Sequence, residues 1–163
     1  RGVSTSYSSL TIYNNIFYLV DKGDKAINHK LDNLVSDNNI FFPEQDGFLE
    51  IGEEKYSSLY EYQNSKGLDM NSFTSDPLFK DVYNDNFSVE PESPAIDGGR
   101  NVGIAMDFWG YSIPYGKGPD IGLIETLKDD QGILSGIEPA GSSDQEDTPL
   151  IFPNPSDGRF KIS

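Results

Sequence analysis

Asn14-Asn15-Ile16-Phe17-Tyr18 recurs as Asn38-Asn39-Ile40-Phe41-Phe42, 24 residues further on. Leu10-Thr11-Ile12-Tyr13 leads into the first copy and Leu34-Val35-Ser36-Asp37 into the second. β-Branched and aromatic residues in such runs favour strands. A short strand-rich unit repeated at a fixed interval buries its apolar face by stacking on its neighbours. The repeat therefore predicts a parallel β-helix, in which each circuit of the chain lies ~4.8 Å above the last. Equivalent residues then stand over one another. Inward Ile and Phe would build apolar columns, and Asn at the corners would form side-chain hydrogen-bond ladders. The competing reading is an ordinary hairpin with a chance pentapeptide match.

Outside the two copies the pattern changes. After Phe42 the repeat dissolves; 43–47 reads as a turn and 48–52 as a short strand. Ser58 with Glu61 fits a capping box, and Gly67 a C-cap, which predicts one short helix over 58–66. Such a helix would cover the open end of the stack, where bare strand edges invite further pairing. From 76 to 125 turn residues dominate, around Asp76-Pro77-Leu78-Phe79, Ser93-Pro94-Ala95-Ile96-Asp97-Gly98-Gly99 and Pro119-Asp120-Ile121-Gly122. Apolar pairs set between Pro, Gly and Asp read as short segments pinned to a preformed surface. Residues 128–149 carry acids, Gly and Ser with little to bury, the composition of an acidic flexible linker. A new apolar start follows at Leu150-Ile151-Phe152. The expected organisation is thus 1–127, 128–149 and 150–163.

The 163 residues suffice for about one domain, and a hydrophobic fraction of 36% is low for a self-sufficient core. Ten Phe and nine Tyr argue against simple disorder. A net charge of −15 repels phosphate backbones and anionic headgroups, so nucleic acid is not expected as a partner. No apolar run approaches the ~18 residues of a membrane span, so membrane insertion is not expected either. There is no Cys, which rules out disulfides and cysteine metal sites. The lone His29 makes a histidine-built metal site or triad improbable. A chain that opens on Arg1, with no signal peptide, reads as a piece whose N-terminal part is missing.

The ordered strings from Asp76 to Glu125 resemble the C-terminal closing segment of secreted bacterial right-handed β-helix proteins, many of them polysaccharide lyases or hydrolases. That segment runs approximately DPLF, a short DF-x-L strand, SPAID-(A/G)-G, D-x-x-G-x-P and PDIGA-(Y/F)-E. Here Phe87-Ser88-Val89 stands for the usual Phe-x-Leu, and Leu123-Ile124 for the usual Ala-aromatic pair. The coils around Asn14-Asn15-Ile16-Phe17-Tyr18 and Asn38-Asn39-Ile40-Phe41-Phe42 resemble those that precede this segment, and together the resemblance covers about two thirds of the chain. It implies an all-β, right-handed parallel β-helix, of which this chain holds the C-terminal coils, the closing segment and one short capping α-helix. Phe152-Pro153-Asn154-Pro155, with Gly158 and Phe160, resembles the opening of the C-terminal sorting domain of the type IX secretion system of Bacteroidota. That implies export across the outer membrane, to the cell surface or the medium, with the secretion machinery as partner. From the residues alone, Pro153 and Pro155 suppress helix and Asp157-Gly158 marks a tight turn.

In the lyases that this segment resembles, a base abstracts the proton beside a uronate carboxylate while Ca²⁺ or Arg neutralises the charge. Those groups sit in middle coils, which would lie before Arg1, so no catalytic residue is assigned here. His29-Lys30 is the nearest local candidate for a base, against a solvated turn between coils. Asp97, Asp107 and Asp120 can converge on calcium; the alternative is that they accept backbone hydrogen bonds in Asx turns. Asp21, Asp24, Asp32 and Asp37 read as exposed corner residues. Trp109, Tyr111 and Tyr115 can stack on the sugar rings of a polysaccharide, or pin their Gly/Pro-rich loop to the helix. A GxSxG elbow, a P-loop and a Rossmann fingerprint are all absent from the sequence. The expected function is scaffold and export routing within a carbohydrate-active β-helix protein, the alternative being a non-catalytic adhesin or glycan-binding passenger.

Overall fold

A computed structural model describes residues 3–5, 9–30 and 33–126. It is mostly short strands with one α-helix, an all-β chain in outline. β1 (Val3–Thr5), β2 (Leu10–Tyr13) and β3 (Ile16–Tyr18) form a first layer. β4 (Ile27–His29), β5 (Leu34–Asp37) and β6 (Ile40–Phe42) form a second. Each strand pairs in parallel with its counterpart 24 residues on: Val3 with Ile27, Leu10 with Leu34, Ile16 with Ile40. Along β2–β5 and β3–β6 equivalent side chains are therefore stacked, and the hairpin alternative is excluded for this repeat.

The pairing continues past Phe42, where the sequence pattern was expected to dissolve. β7 (Leu49–Ile51) lies parallel to β4, Ile27 opposite Leu49, at an offset of 22. Farther along, Phe73 bridges Ile40, with N–H···O bonds of 3.0 Å from Phe41 to Phe73 and from Phe73 to Asn39. The Asn-Asn signature is missing because strand pairing is a backbone property that no particular side chain has to mark. After the left-handed Gly52, β8 (Glu54–Tyr56) folds back antiparallel on β7 and occupies its far edge.

Alternation of side chains across each strand makes two apolar clusters. Inward, Phe17 stacks on Phe41 at 5.1 Å and 7°, and Phe48 meets Phe41 edge-on at 5.9 Å. Ile12, Ile27, Leu34, Leu49 and Ile51 complete that core. Outward, Ile16, Ile40 and Phe73 are covered by Ala95 and Ile121 of the closing segment. The α-helix, α1 (Leu59–Lys66), forms where expected and adds Leu59 and Tyr62 to the inner core. Ser58 Oγ accepts the Glu61 N–H, and Gly67 closes the helix in the left-handed region. Only that half of the capping box forms as expected. The Leu59 N–H donates to Glu44 Oε1 at 2.6 Å, so a residue from the preceding turn supplies a second cap.

β9 (Phe79–Asp81) and β10 (Asn86–Val89) then make an antiparallel hairpin around a 3₁₀ turn at Val82–Asn84. Residues 90–126 contain no named strand or helix. The segments 128–149 and 150–163 lie outside the described residues, as do Phe152, Pro153, Asn154, Pro155, Gly158 and Phe160.

Phe41 is wholly buried between two aromatic neighbours. Phe41→Ala should lower unfolding stability by about 3–5 kcal/mol in urea titrations, and Tyr60→Ala, on the exposed helix face, by no more than about 0.5 kcal/mol. Equal effects would contradict the stacked core.

Candidate functional site

Asn14 (φ 56°) and Asn38 (φ 53°) both take the left-handed conformation at the corner between strands. Asn tolerates that region better than other side-chain-bearing residues. The next residue, Asn39, is wholly buried and ties layers together. Its Oδ1 accepts the Asn15 N–H at 2.9 Å, and its Nδ2 reaches Ile12 O, Ser36 Oγ and Asp69 Oδ1 at 3.0–3.2 Å. Its own N–H donates to Ser72 Oγ at 2.8 Å, and that hydroxyl donates to Asp69 Oδ1 at 2.6 Å. Burial raises the Asp69 carboxyl above the ordinary range, against the pull of Ser72 and Asn39. Nothing in the local sequence distinguished Asp69 from the surface acids around it.

The corner asparagines also hold the closing segment. Asn14 Nδ2 donates to Arg100 O at 2.8 Å while the Arg100 N–H donates to Asn14 Oδ1 at 2.9 Å. Asn38 Nδ2 donates to Gly98 O, and the Gly122 N–H to Asn14 O. The Arg100 guanidinium, thus anchored, lies 4.3 Å over the Tyr13 ring, within cation–π range.

Four carboxylates shape the loop. Asp107 Oδ1 accepts the Trp109 and Tyr111 N–H groups, and its Oδ2 accepts that of Glu125. Glu125 accepts the Tyr115 and Asp120 N–H groups, one on each oxygen. Asp120 accepts those of Asp97 and Thr126. Asp97 Oδ1 accepts those of Lys117 and Gly118. The sequence singled out Asp97, Asp107 and Asp120. It passed over Glu125, whose position at the end of the closing string was the available signal. The three aspartates come into one network, and its chemistry is that of acceptors for backbone donors. Among the described residues no three His, Cys, Asp or Glu side chains group to hold a metal ion.

The glycines around them are spaces that a side chain would fill. A Cβ on Gly99 would lie 2.8 Å from both Pro119 O and Asp120 O, and one on Gly116 2.6 Å from Asp97 Oδ1.

The aromatics divide. Trp109 is 56% exposed and meets Phe108 edge-on at 5.2 Å, on the outside of the loop. Tyr111 and Tyr115 are half-buried and stack on each other at 6.1 Å. A cavity of about 210 Å³ separates the loop from the corner, with Tyr13, Asn15, Arg100, Ile104, Ile113 and Leu123 among its walls. It is below the ~300–1,000 Å³ of drug-sized ligand pockets.

Neither expectation for His29 describes it. It is wholly buried on β4, in register with Thr5 and Ile51, with Nε2 3.3 Å from Asn33 Oδ1; Lys30 is exposed. Asp21 is exposed and Asp24 half-buried, as turn residues, while Asp37 accepts both the N–H and Nδ2 of Asn71 at 2.8 Å. Asp32 lies outside the described residues. No helix among the described residues is long and apolar enough to cross a membrane.

Burial pushes the Asp120 carboxyl up to about 7, helped by Glu125 and Asp97 and opposed by the two backbone donors. The folded chain then holds a proton that the unfolded chain, titrating near ~4, releases. The stability this group contributes is complete below pH ~4 and is lost as pH rises toward about 7. Asp120→Asn, uncharged throughout, should flatten the stability curve over that window by up to about 1.4 kcal/mol per pH unit. Parallel curves for wild type and variant would refute the assignment. Gly99→Ala, which meets backbone rather than a movable side chain, should cost about 1–3 kcal/mol in the same melts. The chain matches no family model, no curated protein and no solved structure.

Proposed function

We propose that this chain is the C-terminal end of a secreted, right-handed parallel β-helix protein, where it seals the stack and carries the start of an export signal. The observation that supports it most is the parallel register of three strand pairs, all at an offset of 24 residues, with Asn39 bonded across layers. The closing segment covers the outward Ile16 and Ile40, and β8 occupies the far edge of β7, as the last turns of such a stack require.

In this reading the parent protein acts on polysaccharide, as a lyase or hydrolase, through coils that precede Arg1. The described residues contribute scaffold. The acids of the closing loop hold backbone, and the lone histidine is inside the core. The exposed Phe108 and Trp109 favour a second reading, a glycan-binding surface passenger without catalysis. Residues 150–163 would engage the type IX secretion machinery and route the protein to the cell surface.

Incubation of the parent protein with alginate, pectin and chondroitin should release unsaturated products, followed by ultraviolet absorbance. Silence on every acidic glycan removes the lyase. If the passenger reading holds, Trp109→Ala should weaken retention on the bound glycan about tenfold, or about 1.4 kcal/mol, with no loss of fold. Deletion of residues 152–163 should leave the protein in the periplasm; continued surface display would refute the routing role.

A further inference from the structure

Among the described residues β1, β2 and β3 each have one strand partner, respectively β4, β5 and β6. Their other edges lie at one end of the stack. In a parallel ladder the peptide groups of successive residues turn to alternate sides. The Leu19 N–H donates to Phe42 O at 2.7 Å, on the β6 side. The peptide groups of Ile16 and Tyr18 therefore turn to the open side. A row of this kind is a template for another strand.

The open edge of β3 is also a groove. A cavity of about 230 Å³ is lined by residues 16–20 together with Phe79, Val82 and Phe87. Side chains of a strand alternate between its faces, so consecutive residues line one cavity only along the strand's edge. The β9–β10 hairpin overhangs that edge: Tyr18 meets Phe79 edge-on at 5.6 Å, and Phe79 meets Phe87 at 5.9 Å. Val20, Phe87 and Tyr83 are exposed around it. On the paired side the outward column continues from Tyr18 to Phe42, with ring centroids 5.7 Å apart. On the open side the same column ends beside Phe79 and Phe87.

We propose that this groove binds an extended strand in parallel register with β3, bearing the repeat's own pattern and a large apolar side chain beside Phe79 and Phe87. Continuity with the existing interface identifies the occupant: β6 already fills the opposite edge of β3 with Ile40, Phe41 and Phe42 in register. The proposal rests on the stacked-repeat reading above, in which the occupant is a strand of the preceding coil of the same polypeptide. The hairpin would thus clasp two layers, the first described one and the one before it. Main-chain hydrogen bonds would supply affinity, and the alternating pockets specificity, as in other cases of strand addition.

The test uses the full chain and a synthetic peptide of residues 34–42 with a lysine tail, read by amide hydrogen exchange. Saturating peptide should slow exchange at Ile16 and Tyr18 by about tenfold or more. Phe87→Ser and Val20→Lys, at exposed positions, should each weaken peptide binding by about tenfold, and a peptide with Ser at 40–42 should not protect. Unprotected amides at 16 and 18, with the Ile40 amide still protected through its bond to Asn15 O, would overturn the proposal and leave the stacked repeat standing. Free exchange at Ile40 as well would sink both. A chain that dimerises unaided with amides 16 and 18 protected would assign the edge to a second copy and overturn the proposal.

Discussion

Strands of three or four residues cannot hold a shape alone, and here the hydrogen-bonded register between layers does it for them. Ile16 faces Ile40, Phe17 faces Phe41 and Tyr18 faces Phe42. A slip of one residue would exchange inner and outer faces, burying Ile40 where Phe41 now stacks on Phe17. Asn39 opposes such a slip because its amide is bonded to both the layer before and the layer after. A buried amide that loses its partners costs on the order of 1–3 kcal/mol. The apolar columns thus supply most of the driving force, and the asparagine fixes which columns form.

That constraint passes to the closing segment. The outward face of β3 and β6 is apolar, so something must cover it. The cover is irregular chain, whose N–H groups have no strand to pair with. Carboxylates take that role: Asp97, Asp107, Asp120 and Glu125 all accept backbone donors. Gly98 and Gly99 let the segment approach backbone to backbone, with the Gly99 N–H on Pro119 O at 2.8 Å. Asn14 and Asn38 then fasten this cover to the corners that the repeat creates. The same asparagines that mark the repeat in the sequence also anchor its cover.

This explains what was legible. The pentapeptide repeat disclosed the parallel register of β3 and β6 because side-chain identity persists wherever two layers share an Asn corner. Ser58, Glu61 and Gly67 disclosed α1 because capping is local. The continuation through β7 and Phe73 left no such trace, since those layers turn at Gly52 and Asp69 instead of at paired asparagines. His29 was illegible for a related reason. Its flanks, Asn28 and Lys30, look solvated, yet alternation on β4 sends His29 to the face that Ile27 shares.

Acidity was the hardest feature to interpret from composition. A net charge of −15 suggests solubility or cation binding when the acids are counted as a group. In three dimensions they separate by partner. Glu50 pairs with Lys25 and Glu54 with Lys66, at the surface. Asp69 and Asp120 are buried, and burial raises both carboxyls, which are held by hydrogen bonds instead of countercharges. A carboxylate that accepts backbone N–H groups could meet a cation only with its remaining lone pairs, and moving it to do so would release the loop it holds. In the closing segment Asp97, Asp107, Asp120 and Glu125 are therefore part of the chain's own hydrogen bonding, while Phe108 and Trp109 stand exposed on the loop.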